Sequence, residues 1–461
     1  MRTDRLRWAA ALLTILWTMA VVPLYGQPAL RHIRKNPLFS ASNYCIYPDS
    51  DILCQTQAPN GKKPFYISHY GRHGSRYLSN YNAYEIPYKI LQRADTLGKL
   101  TDTGRRALYQ LKAIIDDAEG RWGDLTGIGK KQQRDIAARM VENYPEVFRG
   151  KAFVDARSTI ITRCILSMGS AVQELIRNNP KLEVTMSGSY HDMWYLNHQD
   201  KMLRDSMMTS KAKRTFDNFT RERYPNEKLM PVLFNDTAYI RQHVSSDTLS
   251  YYLLKAAVIQ QNTHMAKYGN ELLKLFEENY IHHFWQSENA WWYINYGPSP
   301  LNGGLQPLTQ RYLLRRMIEE ADSIMATGQH GASLRFGHET VVLPLVCLLG
   351  INGYDYQETD LERLEEAGWW SCVVFPMASN VQIVFYRKNP HDKDVLIKVL
   401  LNEKETRLPL PDDMAPYYRW SDFRSYYLKK LADGESALSR ERQRIHSHLL
   451  NHSQQTVGTG R

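Results

Sequence analysis

Cysteine is scarce in this chain, with five residues in 461. That is too few for a disulfide scaffold, and no Cys-x-x-Cys or zinc-finger spacing occurs. Long basic runs and an aromatic RNA-binding signature are also missing. The formal charge of +10 therefore does not read as a nucleic-acid footprint, although a basic protein attracts anions of other kinds. There is no internal repeat. Hydrophobic residues make up 43% of the chain, which excludes a disordered polypeptide, and the length is ample for a large core and more than one domain.

The one apolar run near the N-terminus, Trp8 to Leu24, is interrupted by Thr14, Thr18 and Pro23. It is short for a membrane span. Arg2, Arg5 and Arg7 precede it, and Leu24-Tyr25-Gly26 offers a small-residue cleavage site before Gln27. Residues 1–26 thus read as an export signal. No cysteine follows the run, so a lipoprotein anchor is not indicated, and no stable span remains after signal removal. The expected location is periplasmic or secreted, in a bacterial setting. The segment carries a net +2, which leaves +8 on the remainder. In an oxidising compartment Cys45 and Cys54, which bracket a turn-rich loop, could pair. Cys347 and Cys372 sit in apolar surroundings and read as buried hydrophobes, whereas Cys164 adjoins Arg163 and is read as packing or a reactive thiol.

Two short polar constellations carry chemistry. Phe65 to Ile67 reads as a strand that runs into Arg72-His73-Gly74-Ser75-Arg76. Two guanidiniums flanking an imidazole are a costly arrangement unless an anion lies between them. Arginine presents a planar fork that matches phosphate oxygens, and histidine presents a nitrogen nucleophile. Far along the chain, Arg335-Phe336-Gly337-His338-Glu339 precedes the apolar run Val341 to Leu349. A strand meeting a helix accounts for the apolar residues but not for the His-Glu pair.

The first constellation resembles the RHGxRxP signature of the histidine acid phosphatases, clade 2 of the histidine phosphatase superfamily, with Leu78 where the signature has Pro. The second resembles the motif of the multiple inositol polyphosphate phosphatase and histidine phytase branch, with one residue fewer between His and the acid. Arg157 to Ser167 resembles the segment that brings a third arginine to the phosphate; Arg163 matches best and Arg157 competes. Residues 123–129, 376–380 and 395–403 extend the likeness. It implies attack on phosphorus by neutral His73, with Arg72, Arg76, Arg163 and His338 binding the phosphate and Glu339 as general acid, without cofactor or metal. The leading expectation is an exported phosphomonoesterase acting on a polyanionic phosphoester, inositol polyphosphates and phytate among them. A broad acid phosphatase or sugar-phosphatase, a mutase, a metal-dependent phosphatase and a non-catalytic phosphate-binding module compete. Oligomeric state is not indicated.

The expected fold is α/β: a mostly parallel sheet flanked by helices, phosphoglycerate mutase-like, with an inserted, mainly helical cap. Strands are expected at 64–69, 151–156, 181–186, 333–337, 371–375, 380–387 and 394–401. Helices are expected at 102–117 after a Thr101 cap, from 126 to before Pro145, and at 160–178. Residues 27–190 and 328–445 would form the catalytic domain, 191–327 the cap, and 446–461 a flexible tail. Within the cap, Leu253 to Phe284 and Gln310 to Met325 read as long amphipathic patterns. Trp285, Trp291 and Trp292 read as cap core. The eight cations and four acids of 201–228 read either as a solvated face or as a grip on outer phosphates.

Overall fold

The computed structural model describes residues 27–48, 55–59 and 61–458, with side chains to residue 447. The expected export segment and Cys54 lie outside the described residues. The strands are β1 (Lys63–Arg72), β2 (Phe153–Ser158), β3 (Glu183–Ser187), β4 (Gly331–Gly337), β5 (Asn380–Arg387), β6 (Leu396–Leu401), β7 (Lys404–Glu405) and β8 (Tyr417–Arg419). They form one mixed sheet in the order β3-β2-β4-β1-β5-β6-β7, with β8 also on β6. The first four are mutually parallel. β5 joins β1 antiparallel and the remaining pairings follow suit.

Every residue of β4, β5 and β6 is buried, consistent with strands that read as continuous apolar runs and are covered on both faces. The principal helices are α1 (Gly127–Asn143), α2 (Thr162–Asn178), α3 (Ser210–Thr220), α4 (Ser246–Ile259), α5 (Glu278–Tyr296), α6 (Arg311–Thr327), α7 (Glu339–Leu349) and α8 (Trp420–Gly458). α1 starts where Thr126 accepts a hydrogen bond from the Gly129 amide. The helix at Asp102–Ala118 starts in the same way at Thr101.

Between β3 and β4 the regular elements of the described chain are all helical, joined by loops, with no strand. The long pattern at 253–284 is two helices, α4 and α5, separated by three short 3₁₀ turns. The helical backbone of α8 continues through residues 446–458.

Two sequence expectations need correction. Residues 371–375 are not a strand: Ser371–Val374 is a helical turn and Phe375 ends it. Asn289 Oδ1 accepts from the Ser371 amide at 2.8 Å, so a neighbouring helix takes the place of a ladder partner. Cys45 is a free thiol, close enough to the carbonyls of Leu38 and Phe39 to donate to either. Cys164, Cys347 and Cys372 are likewise free and buried.

Candidate active site

β1, β2 and β4 end side by side, with Arg72 opposite Gly337 and Ser158 opposite Phe336. These C-terminal strand ends are where an open parallel sheet leaves a crevice. Arg72, His73, Arg76, Arg163, His338 and Glu339 converge there. Arg72 and His73 are wholly buried.

The Arg72–Arg76 loop is fastened by its backbone. The His73 amide donates to Gly337 O at 2.9 Å, and His73 O accepts from Ala378 N at 3.0 Å. The Gly74 amide donates to Ser167 Oγ and the Ser75 amide to Gln132 Oε1. Thr126 donates through its amide (2.9 Å) and its hydroxyl (3.1 Å) to Ser75 O. Glycine is required where this loop meets α1. A Cβ on Gly74 would stand 2.3 Å from Gly129 O, and one on Gly129 would stand 2.3 Å from Ser75 O.

His73 Nδ1 lies 2.8 Å from Gly74 O, a group that can only accept. The ring hydrogen therefore sits on Nδ1, and Nε2 carries the lone pair. Nε2 has no hydrogen-bond partner, and neither have the buried Arg72 Nη2, Arg76 Nε and Arg163 Nε. Buried donors without acceptors are rare and costly. Three from different guanidiniums around one unprotonated ring nitrogen describe an anion site. Arg72 Nη1 is held by two backbone carbonyls, Asn43 O at 2.6 Å and Phe375 O at 2.8 Å, which fixes the plane of its fork.

Glu339 opens α7 on its first turn, where the helix dipole favours a carboxylate. Its Oε2 is 3.1 Å from Arg72 Nε and 3.6 Å from His73 Nε2, and its Oε1 is 3.6 Å from Arg76 Nη2. Burial alone would raise this carboxyl, but the Arg72 and Arg76 guanidiniums hold it well below the usual range. Burial, with Arg72 and Arg76 alongside, holds the His73 imidazole well below its ordinary value against the opposing pull of Glu339. Burial also lowers Arg72 to about 10 and His338 to about 4. Nε2 of His338 faces Thr159 Oγ1 at 3.2 Å, and its ring packs beside the Cys164 sulfur. Burial pushes that thiol up to about 11, so Cys164 is a packing group and a weak donor to Gly337 O.

Of the two rival arginines, Arg163 is the one brought to the site. Arg157 is tied to Asp155 and Asp192 instead. His73, His338 and Glu339 could by geometry offer one atom each to a metal ion, all within 4.8 Å of one another. The guanidiniums already serve as counter-ions to that carboxylate.

Sequence reasoning missed Asn43, which donates to Glu339 Oε1 at 3.4 Å, and Tyr44, whose ring lies under Arg76. Nothing local to those residues signals a role, because each acts across a long sequence separation. It assigned Trp285, Trp291 and Trp292 to the cap core; Trp285 and Trp292 are buried in core clusters, whereas Trp291 is exposed and, with one face of Trp292, lines the cavity that holds Arg76 and Glu339.

The family model described as the histidine phosphatase superfamily (branch 2) matches residues 71–402. Among solved structures, the chain is similar to the Bifidobacterium longum multiple inositol polyphosphate phosphatase in complex with inositol hexasulfate. The two are 17% identical with a TM-score of 0.68, over 85% of this chain and 97% of that one. It is also similar to the phytase from D. castellii, at 13% identity and a TM-score of 0.63, over 86% of this chain and 85% of that one. No curated protein matches the sequence.

Proposed function

The chain belongs to branch 2 of the histidine phosphatase superfamily, and from that premise we propose that it hydrolyses phosphomonoesters of inositol polyphosphates, the class that includes phytate, through a phosphohistidine. The observation that carries this reading is the His73 tautomer: a lone pair on Nε2 among three guanidiniums with unused donors.

The ester phosphate enters between Arg72, Arg76 and Arg163, which neutralise oxygens where charge spreads in the transition state. Nε2 forms a bond to phosphorus as the ester P–O bond breaks. The departing oxygen takes a proton from Glu339. In the free site that carboxyl is ionised as the arginines' counter-ion. The incoming phosphate takes over this role, so the carboxyl rises and gains a proton as substrate binds. Water then attacks phosphorus, Glu339 receives its proton, the P–N bond breaks and phosphate leaves. His338, held by Thr159, contributes a further contact to the phosphate.

Export to the periplasm or medium is proposed on the arginine-led apolar segment at 1–26. Among the described residues no helix is long and apolar enough to cross a membrane. A mature N-terminus at Gln27 in the cell-free fraction would bear the proposal out.

The first test is phosphate release from inositol polyphosphates, with excess chelator, by wild type and His73→Ala. Turnover by wild type and its loss in the variant are expected. Turnover surviving in His73→Ala would refute the phosphohistidine route.

A further inference from the structure

The far wall of the catalytic cleft is built from different chemistry than its floor. A cavity of about 480 Å³ opens over Arg76 and Glu339, and the helical segment between β3 and β4 supplies its other side. That side carries five aromatic residues, Phe216, Tyr224, Tyr251, Trp291 and Trp292, and a single ion pair, Lys255 with Glu288. Lys255 Nζ donates to the Tyr251 hydroxyl at 2.6 Å, which donates in turn to Glu288 Oε1 at 2.9 Å; Nζ lies 3.6 Å from the same carboxylate oxygen. Burial alone would lower the ammonium, but Glu288 and Tyr251 reverse that and keep it charged.

The wall thus brings one cation and one anion, a net charge of zero. The basic stretch at 201–228 does not alter the balance. Lys201, Lys213, Arg223 and Lys228 pair with Asp205, Asp217, Glu362 and Glu277, and none of the stretch's eight cations lines this cavity. With one phosphate of a hexakisphosphate on the arginines, five more would share π-surfaces, a carboxylate and a single ammonium. A ring with hydroxyls meets better partners: aromatic faces for its C–H side, a carboxylate acceptor and one ammonium donor.

We propose that this wall selects phosphomonoesters whose ring presents hydroxyls and at most one further phosphate to the cavity, with Glu288 accepting a ring hydroxyl and Lys255 holding the additional phosphate. The inference rests on the phosphomonoesterase reading above and narrows it to the less phosphorylated inositols.

The test is kcat/KM with excess chelator on inositol hexakisphosphate, a set of inositol bis- and trisphosphates, and p-nitrophenyl phosphate. For wild type, the best bis- or trisphosphate is expected to exceed the hexakisphosphate by about tenfold or more, the scale of one charged hydrogen bond gained or lost. Glu288→Gln should move that ratio toward the hexakisphosphate by about tenfold. Lys255→Gln should lower turnover of the bisphosphate several-fold more than that of p-nitrophenyl phosphate. Thermal melts by circular dichroism establish that each variant is folded, and the wild-type profile needs no variant. A wild-type preference for the hexakisphosphate, or ratios unmoved in both folded variants, overturns the proposal. Turnover of none of these esters sinks the phosphomonoesterase reading and this one with it, whereas turnover of p-nitrophenyl phosphate with the wrong inositol ranking sinks this one alone.

Discussion

Glu339 is ionised in the free site, in contact with Arg72 and Arg76 and near His73, yet the proposed chemistry needs it protonated when the leaving group departs. Ligand binding must therefore carry a proton with it. Calorimetry of inorganic phosphate binding in buffers of different ionisation enthalpy, between pH 5 and 7, should show proton uptake by wild type beyond that of Glu339→Gln. Equal uptake by both would place the proton elsewhere. Kinetically, Glu339→Gln should slow alkyl phosphates on the order of 10²-fold or more and p-nitrophenyl phosphate far less, since a phenolate leaves without protonation. Equal losses on the two esters would remove the general-acid role. Five of the six convergent side chains were legible in the sequence because they stand in the two polar constellations whose chemistry is unusual wherever it stands; Arg163 was marked only by the resemblance, with Arg157 as its rival. Asn43, Tyr44 and Thr159 were not legible, since an asparagine, a tyrosine or a threonine acquires a role only from what a distant segment brings next to it.

At the scale of elements, the loop after β1 and the first turn of α1 touch backbone to backbone through Gly74 and Gly129. Gly129→Ala should push them apart, costing about 1–3 kcal/mol of stability and lowering kcat more than it raises KM, because the loop that carries His73 shifts. A melt and a kcat/KM comparison check this; full activity would mean that the contact is slack. Thr126→Val removes the helix cap and the hydroxyl bond to Ser75 O together, and should cost about 1–2 kcal/mol in a urea titration. The parallel strands and the helices between them were legible from alternation. Within the antiparallel half, β5 and β6 are too close in sequence for a crossover, so they can only run opposite ways; the direction of β5 beside β1 is not set by connection length. The Ser371–Val374 turn was misread because β-branched residues in an apolar stretch look like a strand. The site instead uses this segment to deliver the Phe375 carbonyl to Arg72.

Over the whole molecule, three histidines are buried without charge. Burial holds His69 at about 3 and His338 at about 4, and His73 lies well below its ordinary value. In the unfolded chain each titrates near 6.5, so below that pH the unfolded state binds more protons and stability falls. The slope approaches about 1.4 kcal/mol per pH unit for each such histidine. Glu339, with its lowered value, adds a loss of the same sign only below the ordinary glutamate range. The melting temperature should therefore decline from about pH 6.5 downward, more steeply below about pH 4.5. His69→Gln, which leaves the catalytic groups in place, should flatten the upper part of the curve. An unchanged slope would show that His69 is not a source.

The two carbonyls that hold Arg72 have a consequence for the order in which the protein comes into being. One belongs to Asn43, upstream of the loop, and the other to Phe375, 303 residues downstream of Arg72. At ordinary translation speeds the ribosome needs about 15–60 s to cross that interval. Until residue 339 is made, His73 and its neighbouring arginines lack Glu339 as counter-ion, and until residue 375 is made they lack the second carbonyl that orients the fork. The candidate site is thus completed only once most of the polypeptide exists, and recovery of phosphatase turnover after dilution from denaturant should report late, long-range closure of the fold rather than any early local stage of it.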